Sequence, residues 1–212
     1  MRARVPLAFV TALVGLVLVA GCVFKRSKNA QIYVLDPVAA RDPAALAEQP
    51  RDVVGVLKVT VPAWIDRPQI ATRSAASEVS IDEFSRWGEP VARGVQRVVT
   101  DNLAALLPDR RFVVAPFPAS EGIHYRVGIA ITELARQADG GVLLEARWAV
   151  LGKKGVTILQ RGASHRTNPP AAGSAGTVAG ASEALGALSR DIAEALRTLP
   201  LPPPDETPTD KK

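Results

Sequence analysis

Apolar positions along this chain fall into three patterns, and each predicts a different kind of element. The first is an unbroken apolar run from Val5 to Ala20. The second is alternation, the period of a half-buried strand. Ile32 and Val34 flank Tyr33 in a first short strand, Asp36–Asp52 is a loop rich in Ala, Pro and charge, and β-branched Val53–Val61 is a strand closed by Pro62. Gln69–Arg73 and Glu78–Ile81 predict a hairpin turning near Ala75-Ala76-Ser77, and Arg111–Ala115 predicts another strand. Tyr125, Val127, Ile129 and Ile131 share one face of a strand over Tyr125–Leu134. The turn signal Asp139-Gly140-Gly141 then pairs it with Val142–Leu151, where Val142, Leu144, Ala146, Trp148 and Val150 share a face opposite Glu145 and Arg147. Lys153-Lys154-Gly155 turns the chain into a strand starting at Val156–Gln160.

The third pattern is helical. After Trp87-Gly88-Glu89, Pro90 at the first helical position opens a helix to about Leu107, with Val91, Val95, Val98, Val99, Leu103 and Leu106 in one stripe. Arg93, Arg97 and Asp101 lie away from that stripe. A Pro/Ala/Gly/Ser loop over Asn168–Gly176 leads to a last helix capped by Thr177, with Val178, Ala181, Leu185, Leu188, Ile192, Leu196 and Leu199 on one face and Pro200 as its stop. Two one-sided helices on one face of a mostly antiparallel sheet make an α+β domain. There is no internal repeat.

The first apolar run changes the picture most. Met1-Arg2-Ala3-Arg4 supplies two cations before it, and Leu18-Val19-Ala20-Gly21-Cys22 follows with small residues ahead of a cysteine. This is the layout of a secretory signal, and its end resembles the lipobox of bacterial lipoproteins. The resemblance implies cleavage before Cys22 and acylation of its thiol and its new amine. An uncleaved span is the alternative, because Val5–Phe24 is long enough to cross a bilayer. It is disfavoured by Lys25, Arg26 and Lys28 directly beyond, since cations beside a span prefer the cytoplasmic side. The expected organisation is a signal peptide over 1–21, a lipidated linker over 22–30, a periplasmic domain over 31–199 and a Pro-rich, disordered tail over 200–212. In such lipoproteins an aspartate after the cysteine favours inner-membrane retention; Val23 stands there, which implies the outer membrane.

Charge and cysteine content agree with that address. Removing Arg2 and Arg4 reduces 26 bases to 24 against 21 acids, so the balance falls from +5 to +3. That is too small to argue for nucleic acid. Cys22 is the only cysteine, so lipidation leaves no thiol for a disulfide, and stability must come from the core.

Candidate chemistry is sparse. His124 and His165 belong to no metal-ligand spacing and read as surface or edge residues. Ser182 and Ser189 sit in a helix without an elbow, no buried strand precedes Gly173, Gly176 and Gly180, and Asp66, Asp82, Glu83 and Glu89 are dispersed carboxylates. The expectation is a protein that is not an enzyme, with no metal and no cofactor beyond the acyl chains on Cys22.

The informative stretch is Pro62–Pro90, which holds two of the three tryptophans. Val61-Pro62-Ala63-Trp64-Ile65-Asp66-Arg67-Pro68-Gln69-Ile70, then Thr72-Arg73, Trp87-Gly88-Glu89-Pro90 and Asn102-Leu103, resembles the signature of the PqiC family, the auxiliary lipoproteins of MCE-type lipid transport. Tyr33-Val34-Leu35, Trp148 and the last helix extend the resemblance over about 22–199, while Trp64-Ile65 departs from an aromatic–leucine pair. The resemblance implies an outer-membrane subunit of a periplasm-spanning conduit, with an MCE-domain tunnel protein and an inner-membrane component as partners; homo-oligomerisation stays open. The alternative is a stand-alone envelope lipoprotein scaffolding another periplasmic machine, such as cell-wall synthesis. A periplasmic hydrolase is a third class, disfavoured by the missing catalytic constellation. Candidate contacts to partner or lipid are Trp64, Ile65, Arg67, Gln69, Ile70, Arg73 and Trp87. The same segment also reads as a rigid corner, with Asp66 accepting backbone N–H bonds and Arg67 paired to an acid.

Overall fold

The structure, a computed structural model, describes residues 29–40, 52–118 and 122–201. The expected signal peptide, Cys22, most of the expected linker and nearly all of the expected tail lie outside the described residues. The domain contains β1 (Gln31–Tyr33), β2 (Asp52–Val56), β3 (Gln69–Ala75), β4 (Glu78–Trp87), α1 (Val91–Leu106), β5 (Arg110–Val114), β6 (Tyr125–Arg136), β7 (Val142–Leu151), β8 (Thr157–Thr167) and α2 (Gly173–Arg197).

β6 is the hub of an eight-stranded sheet. On one side it pairs antiparallel with β7 from Arg126↔Leu151 to Arg136↔Val142, and β8 pairs antiparallel beyond β7. Its other side is shared. β2 lies parallel to the start of β6 at Val54↔Tyr125 through Val56↔Val127, with β5 parallel outside it. β3 meets the far end of β6 in parallel at Thr72↔Arg136, β4 pairs antiparallel with β3, and β1 runs parallel along β4. The sheet is therefore mixed, which corrects the expectation of a mostly antiparallel one; the α+β class fits. Hairpins carry a turn signal, whereas parallel neighbours are joined through long crossovers that leave no local trace.

Three boundaries are also corrected. β2 stops at Val56, not Val61, although Leu57 N–H donates to Val127 O at 2.9 Å and Thr60 N–H to Ile129 O at 3.2 Å, so the irregular chain still follows β6. Pro90 is the N-cap of α1, not its first helical residue; its ψ of 133° is extended, and its carbonyl accepts the N–H groups of Arg93 and Gly94. α2 begins at Gly173, four residues before Thr177, which sits inside the helix and donates to Gly173 O at 3.0 Å. A glycine-rich first turn has low helix propensity. Tertiary bonds hold it: Ser174 Oγ donates to Asp82 Oδ2 at 2.9 Å and Thr167 Oγ1 to Gly180 O at 3.0 Å.

The core lies between the helices and one face of β6 and β7. Val91, Val95, Val98, Val99 and Leu103 of α1, with Ala181, Leu185, Leu188, Ile192 and Leu196 of α2, join Val127, Ile129 and Ile131 and the whole expected face of β7. The segment after β1 is strapped onto the helix pair. Arg97 Nη2 donates to Leu35 O at 2.8 Å, Ser182 Oγ accepts Asp36 N–H at 3.1 Å, and the buried Asn102 Oδ1 accepts both Val38 and Ala39 N–H at 2.9 Å. Val38 reaches so close to Gly186 that a Cβ there would lie 2.2 Å from its Cγ2.

Candidate functional site

The two signature segments fold against each other. Pro62 and Pro68 forbid a helix between them, and the chain makes a tight turn in which Ile65 and Asp66 N–H both donate to Pro62 O. The turn buries Ile65, and β3 buries Ile70, so both are core side chains. Pro68 O accepts Trp87 N–H at 2.7 Å, which seats the end of β4 on the turn. Gly88 N–H then donates to Tyr33 O at 2.7 Å, and a Cβ at Gly88 would lie 2.9 Å from Val34 Cγ1, so a side chain there would displace the Val34 and Ile32 side chains. Glu89 Oε1 receives both Nη2 (2.7 Å) and Nε (3.1 Å) of Arg97 and so steadies the entry to α1.

Between these walls lies a cleft of about 360 Å³ lined by Asp66, Arg67, Pro68 and the run Trp87–Pro90. Glu89 and Pro90 also border a larger groove of about 780 Å³, which runs along α1 past Lys58, Gln96, Val114 and Pro116. Trp64 and Trp87 are half-buried, each with part of its ring against the core and part exposed.

The two arginines of the signature differ in kind. Arg73 grips Glu133 with two bonds, Nε–Oε1 at 3.2 Å and Nη2–Oε2 at 2.7 Å, and donates to Ala76 O through Nη1. Its guanidinium stacks 4.9 Å over the Trp64 ring. The hydrogen bond to Glu133 holds Arg73 charged beyond its already high range. A β-bulge makes the pair possible. The register of β6 slips between Ile131 and Glu133, so Leu134 faces Leu144 in the core while Glu133 pairs with Glu145 on the other face. Arg67, half-buried at the cleft, makes among the described residues only a long bond, Nε to Gln69 Oε1 at 3.5 Å. Gln69 in turn donates to Glu83 at 3.3 Å. Thus the structure brings Asp66, Arg67 and Trp87 together at one cleft, joins Trp64 to Arg73 outside its lining, and places Ile65 and Ile70 inside.

A second polar cluster was not foreseen. Asp52 is fully buried, with Arg110 Nη1 donating to Oδ2 at 2.8 Å. His124 Nδ1 lies 3.1 Å from Oδ1, close in distance but not aligned as a hydrogen bond. Arg110 Nη2 also donates to Leu199 O, and Tyr125 Oη to Pro200 O, so the cluster clips the end of α2 to the sheet. Arg110 and Arg111 sit side by side, and no sequence signal marks the first as the buried one. His165 Nε2 lies 2.8 Å from Asp191 Oδ2. Among the described residues no group of His, Cys, Asp and Glu could hold a metal ion, and no helix is long and apolar enough to cross a membrane.

Comparison with known proteins gives the chain a context. Residues 33–193 match the model of a family described as the ABC-type transport auxiliary lipoprotein component. No curated protein matches. A solved structure of an uncharacterised protein is similar with 15% identity and a TM-score of 0.67, over 80% of this chain and 99% of the other. A Xanthomonas campestris protein of the DUF330 family is similar with 15% identity and a TM-score of 0.62, over 78% and 94%. These likenesses carry the fold.

Proposed function

The chain belongs to the family of ABC-type transport auxiliary lipoprotein components, and on that premise we propose that it is the outer-membrane-anchored subunit of an MCE-type lipid transport system. In this reading Cys22 carries the acyl chains, and the domain works without catalysis or cofactor. It docks on the MCE-domain tunnel protein, which an inner-membrane component completes. The observation that carries the reading is the joining of the two PqiC-like segments. Asp66-Arg67-Pro68 and Trp87–Pro90 are separated in sequence, yet they form opposite walls of one cleft. Exposed tryptophan edges beside an arginine with little internal bonding are the chemistry of an interface hot spot. Arg67 serves as the anchor for an acidic group of the tunnel protein, whereas Arg73 is held by Glu133 and stacked on Trp64.

The test is recovery of the MCE-domain protein with the tagged, full-length lipoprotein from detergent-solubilised membranes. Arg67→Ala should leave the melting curve near normal and reduce recovery roughly tenfold, as expected for an interface anchor. Trp64→Ala should lower both, because its ring supports Arg73. Normal recovery by a folded Arg67→Ala protein would remove the cleft from the interface. Recovery of a different machine in place of an MCE protein would favour the scaffolding alternative.

A further inference from the structure

Among the exposed apolar side chains, two groups lie at different edges of the sheet. Beyond β7, Val156 is 67% exposed and Ile158 47%. At the β1 edge, Ile32 is 72% exposed, Val34 47%, and Phe84 of β4 46%. The register Ile32↔Arg86 puts Ile32 on the same face as Arg86, and the exposed Phe84 lies two residues earlier on β4. Ile32 and Val34 converge over Gly88, since a Cβ there would meet side-chain atoms of both within 3.2 Å. The β1 edge thus carries Ile32 and Val34 side by side, with Arg86 next to Ile32 and the exposed Phe84 on the same neighbouring strand.

Chain position separates the two edges. Eight residues, 23–30, lie between Cys22 and β1, and extended they reach about 27 Å. A domain of this length is roughly 40 Å across by ordinary size scaling. The tether is shorter than the body it holds, so the edge where it enters is kept within about 27 Å of the membrane. The tether also carries Lys25, Arg26 and Lys28 and no acid.

We infer that the β1–β4 edge is a membrane-docking surface, in which Ile32, Val34 and Phe84 rest in the headgroup–acyl boundary of the leaflet that anchors Cys22, and Arg86 meets its anionic headgroups. This rests on the reading of Cys22 as lipidated. Apolar side chains at that depth leave water while the charged groups stay hydrated, and basic residues are drawn to an anionic leaflet. The surface has a consequence for the cleft. Gly88 underlies the patch and lines the cleft, so docking the edge fixes the height and direction at which Arg67 and Trp87 meet a partner.

The experiment uses the full-length acylated protein in vesicles of phosphatidylethanolamine and phosphatidylglycerol. Acylation is confirmed by fatty-acid labelling and anchoring by flotation. Because the only natural cysteine carries lipid, one environment-sensitive fluorophore is placed at the thiol of Ile32→Cys, and separately at that of Val156→Cys. Emission from position 32 should shift to the blue and be quenched several-fold more strongly by nitroxide lipids than emission from position 156. Val34→Cys repeats the measurement in case a label at Ile32 disturbs β1. Water-like emission at both 32 and 34 in an acylated, floating protein overturns the docking surface and leaves the lipoprotein reading standing. Equal quenching at 32 and 156 overturns it as well. A protein without fatty-acid label loses the tether, and then the reading and the surface fall together.

Discussion

Under α1 and α2, the β6–β7 hairpin is closed by aliphatic side chains and Trp148; at the corner where β3 and β4 meet the Pro62–Pro68 turn, closure depends on single polar atoms. Remove one methyl group from the first region and many neighbours share the loss. Remove Pro68 O or Gly88 N–H from the second, and one named partner atom loses its bond; remove Glu133 Oε2, and Arg73 loses half of its fork. The first arrangement accepts isosteric exchange and penalises lost volume. The second accepts little change of chemistry but holds a surface in one shape. The proposed docking surface benefits from the second kind, because directed bonds fix the backbone that carries Trp64 and Arg67, which lowers the ordering cost of binding.

The sharpest way to break this contrast is Leu188→Ala. Leu188 is fully buried between α2 and the sheet, and the truncation should cost about 2–5 kcal/mol in denaturant unfolding. Unchanged stability would mean that the helix face is not the core. Next comes Arg73→Met, which leaves the Glu133 carboxylate without its fork and should cost about 1.5–3 kcal/mol, the scale of hydrogen bonds to charged groups. Arg73→Lys should recover only part of this, because an ammonium cannot make both bonds and stack on Trp64. Full recovery by lysine would reduce the corner to simple charge pairing. Asn102→Leu tests the strap between the two regions. It keeps the side chain's bulk but strands the N–H groups of Val38 and Ala39, and should cost about 1–3 kcal/mol. Hydrogen exchange at those two amides should accelerate more than anywhere in β7; uniform acceleration would show general loosening instead.

The same contrast explains what was legible in the sequence. The face of β7 was legible to the residue, because alternation and the turn at Asp139-Gly140-Gly141 are local signals; Gly140 takes φ +89° and Asp139 Oδ1 accepts Gly141 N–H. Both helix stripes were legible for the same reason, while their starts were not. A proline serves as well at the N-cap as one residue later, and a glycine-rich first turn reads as loop until its tertiary bonds are known. The parallel pairings of β1, β2, β3 and β5 had no local signature. At the corner the signature residues lie close together in the fold, but their division of labour was not legible. Nothing near Arg67 and Arg73 says which is held, since Glu133 is distant in sequence and reaches Arg73 only because β6 bulges. That bulge had a faint signal: Glu133 falls in the apolar phase of Tyr125–Ile131, and Leu134 falls out of it. Asn102 stood in the signature without a visible reason; its side chain satisfies the strap and donates to Ser189 Oγ.

The smallest expected effect is a matter of pH and concerns Asp82, the acid that ties β4 to the start of α2. The Ser85 hydroxyl, the Phe84 backbone N–H and the Ser174 hydroxyl hold its carboxyl below the usual range. A carboxyl with a lowered folded pKa stabilises the fold wherever it is ionised in both states. That contribution is complete well above the unfolded value of about 3.9 and disappears as pH falls through the lower folded value. Asp82→Asn keeps an acceptor for Phe84 N–H and removes the titration. The stability gap between parent and variant should therefore be constant from neutral pH to about pH 5 and then narrow on descent toward about pH 3. Melting temperatures across that range supply the measurement. Because several donors share one carboxylate that is not deeply buried, the gap should be smaller than the loss in Leu188→Ala or Arg73→Met. A gap that stays constant down to the lowest pH would show that the N-terminal turn of α2 is held by packing, like the rest of the helix layer. The bonds from Asp82 would then not belong with those of the corner.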